Sequence, residues 1–205
     1  PEALSVLEIP DKQKEILAKI ELNANRLTNL IDDLLDLSRM EGGRMQYKWE
    51  FISLTDLAES VVEEIKPEAD KKKLELKWSP TMAEIFYVRA DQEKLRQVIM
   101  NLIDNSIKYT PEGFVEVKLT KTKEGQARLV IKDSGIGMDK EDLGLIFGKF
   151  VRGKKVPRLW TEGSGLGLYI ARLITQKHHG RIWFTSKEGR GTTFSFSIPN
   201  NKIID

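Results

Sequence analysis

The hydrophobic period of this chain changes once, at Glu41-Gly42-Gly43, and no other feature constrains the fold as strongly. Before it, Ile16, Ile20, Leu27, Leu30, Leu34 and Leu37 keep a heptad-like spacing, broken at Asn23, while Leu17, Ala24 and Ile31 widen the stripe on one side. Residues 11 to 42 therefore predict one long helix, with Asp11 as N-cap after Pro10 and the glycines as its stop. One helix alone has nothing against which to bury so wide a stripe. It calls for partner helices, upstream of residue 1 or on another chain, and the width suits a multi-helix bundle better than a two-stranded seam.

After the glycines the pattern is mixed. MQYKWEFIS is extended, and Ser53 with Asp56 opens a helix to about residue 72 that Pro67 should kink or interrupt. LELKW and FYVRA predict strands, and Asp91 caps a helix ending near Tyr109. FVEVKLT and ARLVIKD form a hairpin around KTKEGQ, a short helix is expected at 139 to 147, and LGLYIARLITQKHH is a helix ended by Gly180. RIWFTS and TTFSFSIP close the chain as a hairpin around KEGRG. Strands interleaved with helices, several of them in hairpins, predict a two-layer α/β sandwich on a mixed sheet, preceded by the long bundle helix. The expected division is 1–44 for the helical region, 45–53 for a linker, 54–199 for the sandwich and 200–205 for a tail. The glycine-rich, charged stretch from 134 to 165 has the character of a lid or binding loop.

Composition narrows the chemistry. With 33 basic and 31 acidic residues the net charge is +2, which gives no pull toward nucleic acid or a membrane surface. The absence of cysteine excludes disulfides and thiolate chemistry and fits a reducing compartment, so a cytoplasmic location is expected. His178 and His179 are the only histidines, which excludes a His/Cys metal cluster. Ahead of Gly180 they are expected to serve as cations at a helix C-terminus. No apolar run reaches the roughly 20 residues of a membrane span. The opening PEALSVLEIP shows no signal peptide and lacks a methionine, and the native protein is expected to continue upstream.

Four short stretches carry the candidate chemistry. In NLIDNSIKYT, Asn101, Asn105 and Lys108 share one edge of a helix whose Leu95, Val98, Ile99, Leu102 and Ile103 face a core. In KDSGIGM, Asp133 ends a strand and can accept a hydrogen bond from an exocyclic amine, with Gly135 and Gly137 allowing a close backbone turn. IFGKFVRGKK offers two aromatic anchors and the cations Arg152, Lys154 and Lys155. EGSGLGLYIA places three glycines at a helix start, where N–H groups and the dipole favour an anion. It is neither a P-loop nor a good dinucleotide fingerprint. Taken singly, each has a plain structural reading: amides facing water, an Asp-Ser-Gly turn, a solvated charge run, a hinge before a helix.

In this order the four resemble the N, G1, F and G2 boxes of sensor histidine kinases of two-component systems: NLIDNSIKYTPEG, DSGIGM, IFGKFVR and GSGLGL. The resemblance covers residues 50 to 199, and NANRLTNLIDDLLDLSRMEGG is similar to the second helix of that family's dimerisation and phosphotransfer bundle. It implies an α+β fold of the GHKL or Bergerat ATP-binding type, a two-layer α/β sandwich whose mixed sheet carries helices on one face, with ATP and Mg²⁺ as cofactors. Asn105 would ligate the metal, Asn101 and Lys108 would act at the phosphates, and Tyr109 would flank the nucleotide. Asp133 would accept from the adenine amine, and Gly135 and Gly137 would make room for the base. Ser164, Gly165, Leu166 and Gly167 would give backbone donors to the phosphates, and Arg152 would approach the γ-phosphate from the lid. Residues 152 to 163 are expected to order on the nucleotide. The implied partners are a response-regulator receiver domain and a second copy through the bundle.

One departure stands out. The family's phosphoacceptor stretch, His-Glu-x-x-Thr-Pro, does not occur here. The resemblance thus implies the ATP-binding part of a protein-histidine kinase whose acceptor histidine is absent from this chain, and no ordinary autophosphorylation. The competing readings are a GHKL-type ATPase, a protein-serine kinase and a non-catalytic dimerisation module.

Overall fold

The computed structural model describes residues 11–80, 85–151 and 164–200. Their elements are α1 (Asp11–Glu41), β1 (Glu50–Ser53), α2 (Leu54–Lys71), β2 (Glu75–Pro80), β3 (Tyr87–Ala90), α3 (Gln92–Lys108), β4 (Phe114–Lys121), β5 (Ala127–Asp133), α4 (Gly167–Lys177), β6 (Arg181–Lys187) and β7 (Gly191–Ile198). Strands β2-β4-β5-β7-β6 form one sheet, in which β2 runs parallel to β4 and the other neighbours are antiparallel. β1 and β3 pair separately and antiparallel. The mixed sheet and the α+β class are those expected.

Local chemistry starts α2 and α3 where the sequence signals them. Ser53 Oγ accepts the Asp56 N–H at 3.2 Å, and Asp91 Oδ1 accepts that of Lys94 at 3.0 Å. The apolar faces of α2, α3 and α4 then share one core with alternate residues of the sheet: Val115, Val117 and Leu119 of β4, Leu129 and Ile131 of β5, Phe194 and Phe196 of β7. Glu116, Lys118 and Lys132 occupy the intervening positions and so belong to the opposite face.

Pro67 does not break α2, which runs through it to Lys71. Pro67 and Glu63, whose carbonyl would have received the missing N–H, are both exposed, so the lost bond falls on the solvent side of the helix. The helix expected at 139 to 147 is replaced by successive turns, closed by Leu145 N–H on the Asp142 carbonyl (3.0 Å) and Gly148 N–H on that of Leu145 (2.7 Å). Gly144 sits within the segment and disfavours propagation of a helix too short to survive the loss.

The stripe on α1 divides. Ile16, Leu17, Ile20, Leu27, Leu30, Ile31 and Leu34 are exposed, as a helix awaiting partners requires, but Leu37 is only 7 % exposed and joins the core of the sandwich. A heptad stripe drifts around a straight helix, and by its last turn this one faces α4 instead of a bundle seam.

The cation expected at the end of α4 is absent at His178, which is buried. Its Nε2 accepts the Asp91 N–H at 3.0 Å and its Nδ1 donates to the Ile174 carbonyl at 2.8 Å, which defines a neutral tautomer. Trp49 of the linker packs on the ring at 4.8 Å, and Asp91 Oδ2 takes the Lys48 N–H at 2.8 Å. Burial lowers the His178 pKa, against the opposing effects of the Ile174 carbonyl and Asp91. For a base held below its unfolded value of about 6.5, the unfolded chain binds more protons, so stability is lost as pH falls through that value toward the folded one. Thermal midpoints measured between about pH 8 and about pH 5.5 should fall on acidification, and His178→Gln should flatten that fall.

Candidate functional site

The candidate site is assembled where the amide edge of α3, the end of β5 and the start of α4 converge. Asn101 Nδ2 donates to the Gly167 carbonyl at 3.2 Å, and a Cβ on Gly167 would lie 3.2 Å from Asn101 Oδ1. The first residue of α4 is thus seated directly on the amide edge. One turn on, Asn105 Nδ2 donates to the Asn101 backbone carbonyl at 2.6 Å, which presents its Oδ1 as an acceptor. Lys108 Nζ lies 5.4 Å from the centre of the Tyr109 ring. The loop after β5 is tied to this end of α3 by the Ile136 N–H on the Tyr109 carbonyl at 3.1 Å.

Asp133 is 4 % exposed and does two things at once. Its Oδ1 accepts the N–H of Gly135 and that of Thr192, each at 2.9 Å. Burial raises its pKa, and those two N–H groups pull the other way.

Gly135 and Gly137 are each required to be glycine by the protein's own backbone. A Cβ at Gly135 would run into the Tyr109 carbonyl oxygen, and one at Gly137 (φ 65°) into that of Lys187. Both glycines therefore let the protein's own backbone close up, Gly135 on the end of α3 and Gly137 on the β6–β7 turn. The turn answers with the Gly189 N–H on the Ile136 carbonyl (2.7 Å), and Ser186 Oγ takes the Met138 N–H (2.9 Å).

At Gly165 (φ 70°), just before α4, an added Cβ would lie 3.0 Å from the Phe150 backbone. Leu166, at the N-cap, makes no side-chain cap bond, and its N–H goes to Ser164 Oγ at 3.1 Å. The first-turn N–H groups of α4 thus lack a side-chain cap, which leaves them suited to an anion. Arg152 and the ordering expected of residues 152 to 163 fall outside the described residues.

Two contributors went unrecognised in the sequence. Gly191 (φ 85°) opens β7 against the Asp133 carbonyl, where a Cβ would collide, and Thr192 supplies one of the two N–H groups on Asp133. The available signal was a glycine at the head of the alternating run TTFSFSI. Ser164 also has a partner no local pattern announces, donating to Asp33 of α1 at 2.8 Å.

Among the described residues no group of three His, Cys, Asp or Glu side chains is placed to hold a metal, and no helix is long and apolar enough to cross a membrane. A cation here would take the Asn105 amide oxygen and complete its shell with phosphate and water oxygens, a set that fits Mg²⁺.

Residues 90–202 match the family described as histidine kinase-, DNA gyrase B- and HSP90-like ATPase, and residues 2–43 match the His Kinase A (phospho-acceptor) domain. The chain is similar to the sensor histidine kinase WalK of Bacillus subtilis, 32% identical over 94% of this chain and 31% of WalK. Among solved structures, full-length ShkA in complex with AMPPNP aligns with a TM-score of 0.79 at 24% identity over 94% of this chain and 40% of ShkA. The nucleotide-free catalytic domain of the histidine kinase ThkA aligns at 0.64 and 28% identity, over 75% of this chain and 96% of that domain. ThkA has also been solved in complex with the response regulator protein TrrA, at a TM-score of 0.71 and 23% identity over 95% of this chain and 53% of ThkA.

Proposed function

Because the chain belongs to the two-component sensor histidine kinases, within the histidine kinase-, DNA gyrase B- and HSP90-like ATPases, we propose that it binds Mg-ATP between α3 and the start of α4. In the longer protein it donates the γ-phosphoryl to a bundle histidine for relay to a response-regulator aspartate. The observation that carries this reading is the seating of Gly167 on Asn101, with Asn105 one turn away and Asp133 held at the end of β5.

Each residue has a role its surroundings suit. Asp133 Oδ2 accepts from the adenine amine while Oδ1 stays bound to Gly135 and Thr192. Tyr109 flanks the nucleotide, Asn105 Oδ1 faces the cation, and Asn101 and Lys108 attend the phosphates together with the N–H groups of Ser164 to Gly167. Arg152 lies outside the described residues, and its role at the γ-phosphate rests on the family resemblance alone. Mg²⁺, when bound, neutralises phosphate charge, and the chain's contribution is positioning and preorganised dipoles. The exposed stripe of α1 pairs with bundle helices of the same and a second protomer, and the whole works in the cytoplasm.

His178 is an unsuitable phosphoacceptor, since both ring nitrogens are engaged and the ring is buried. Incubated with γ-labelled ATP, this chain should stay unlabelled, and a longer chain carrying the upstream helix should gain acid-labile label. Label on His178 or His179 would count against the assignment. In titrations with nucleotide and Mg²⁺, Asn105→Ala should weaken the Mg²⁺ dependence of nucleotide binding about tenfold or more, and an unchanged dependence removes Asn105 from the metal.

A further inference from the structure

One stripe of α1 grips the elements that build the nucleotide site. Asp33 Oδ2 accepts from the Ser164 hydroxyl at 2.8 Å. Asp36 Oδ2 takes Lys94 Nζ of α3 at 2.7 Å and Gln97 Nε2 at 3.4 Å. Glu41 Oε1 takes Lys149 Nζ at 2.5 Å and the Tyr169 hydroxyl of α4 at 2.9 Å. With Leu37 and Met40 these positions follow the spacing of one helix face, on which Leu37 is buried.

The Asp33 contact differs in kind from the other two, which are pairings of opposite charge or ordinary hydrogen bonds beside the site. Ser164 belongs to the glycine-rich start of α4, and Asp33 brings a carboxylate to the place where that start favours an incoming anion. A serine hydroxyl has one proton to give, to Asp33 or to a phosphate oxygen. Burial raises the Asp33 pKa, its bond to Ser164 opposes this, and the charges of Asp36 and Asp32 raise it further.

We propose that α1 is a latch on nucleotide entry: the seat of Asp33 on Ser164 and the seat of a polyphosphate at the start of α4 exclude one another. The latch rests on the nucleotide reading above and adds its regulation. Coupling of this kind is reciprocal, so docked α1 weakens nucleotide and nucleotide loosens α1. Movement of the bundle by an upstream signal would then change nucleotide occupancy without touching any residue proposed to hold the nucleotide, apart from Ser164.

Asp33→Ala tests it, because on this partly exposed face of α1 the methyl removes both the acceptor that holds the Ser164 hydroxyl and the charge beside it. Parent and variant are titrated with a non-hydrolysable ATP analogue and Mg²⁺, and amide hydrogen exchange of residues 29–41 is followed in the parent with and without the analogue. The variant should bind about tenfold tighter, with the difference shrinking at high salt, and exchange along α1 should accelerate when the parent is saturated. Equal or weaker binding by the variant, or exchange that stays fixed, overturns the latch and leaves the nucleotide reading standing. A parent that fails to bind the analogue at all removes both.

Discussion

Asp133→Asn is expected to lose nucleotide affinity by about a hundredfold or more while the fold keeps its stability or gains some. The two effects separate because the two oxygens of Asp133 have separate duties. Oδ1 holds the N–H groups of Gly135 and Thr192, and an amide oxygen accepts from both equally well. The other position turns from acceptor to donor and meets the adenine amine donor to donor. Stability is spared because burial disfavours the ionised carboxyl, and the amide has no charge to desolvate. The sign can be checked by titration. An acid whose folded pKa is raised binds more protons folded than unfolded above about pH 3.8, so its contribution falls as pH rises through that window, and the asparagine variant should lack that component. Asp133→Ala is the contrasting control. It strands two buried N–H groups at about 1–3 kcal/mol each, so it should unfold at lower temperature as well as fail to bind. Calorimetric titration alongside thermal denaturation reads both quantities, and an asparagine variant that binds ATP like the parent would remove Asp133 from the base pocket.

Gly137→Ala should rank with Gly191→Ala among the most destabilising single-methyl changes in the site, and Gly189→Ala shows why. Both glycines occupy the left-handed region, at φ 65° and 72°. An alanine pays the same backbone penalty at each, about 1–2 kcal/mol. At Gly189 the new methyl finds nothing within 4 Å, whereas at Gly137 it strikes the Lys187 carbonyl. The loop after β5 must then leave the β6–β7 turn, breaking the Gly189–Ile136 hydrogen bond and disturbing Asp133 behind it. Denaturant midpoints should place Gly189→Ala about 1–2 kcal/mol below the parent and Gly137→Ala several kcal/mol below, with nucleotide affinity lost only in the latter. Equal losses would mean that the loop and the turn are not mechanically joined.

Much of this was legible in the chain itself, because its signals are local. Ser53 and Asp91 announce helix starts within three residues of the N–H groups they accept. The alternation in FVEVKLT and ARLVIKD places Val117 and Ile131 on the buried face, and the edge formed by Asn101, Asn105 and Lys108 follows from the helical period. Gly144 showed the limit of such signals, since an apolar pattern over 139 to 147 did not outweigh a poor helix former within a short segment. The same limit applies at Pro67, where exposure of the lost hydrogen bond decided the outcome and periodicity carries no measure of that.

Periodicity and capping chemistry, which act over a few residues, determined the elements, their buried faces and the candidate groups along this chain. The tertiary structure alone decided what those groups meet: that Leu37 turns inward, that His178 is neutral beneath Trp49, that Gly137 serves the β6–β7 turn, and that Ser164 is held by Asp33 from 131 positions away. Such pairings depend on how separate elements close on one another, and the burial that shifts a pKa or forbids a methyl group exists only after they have closed.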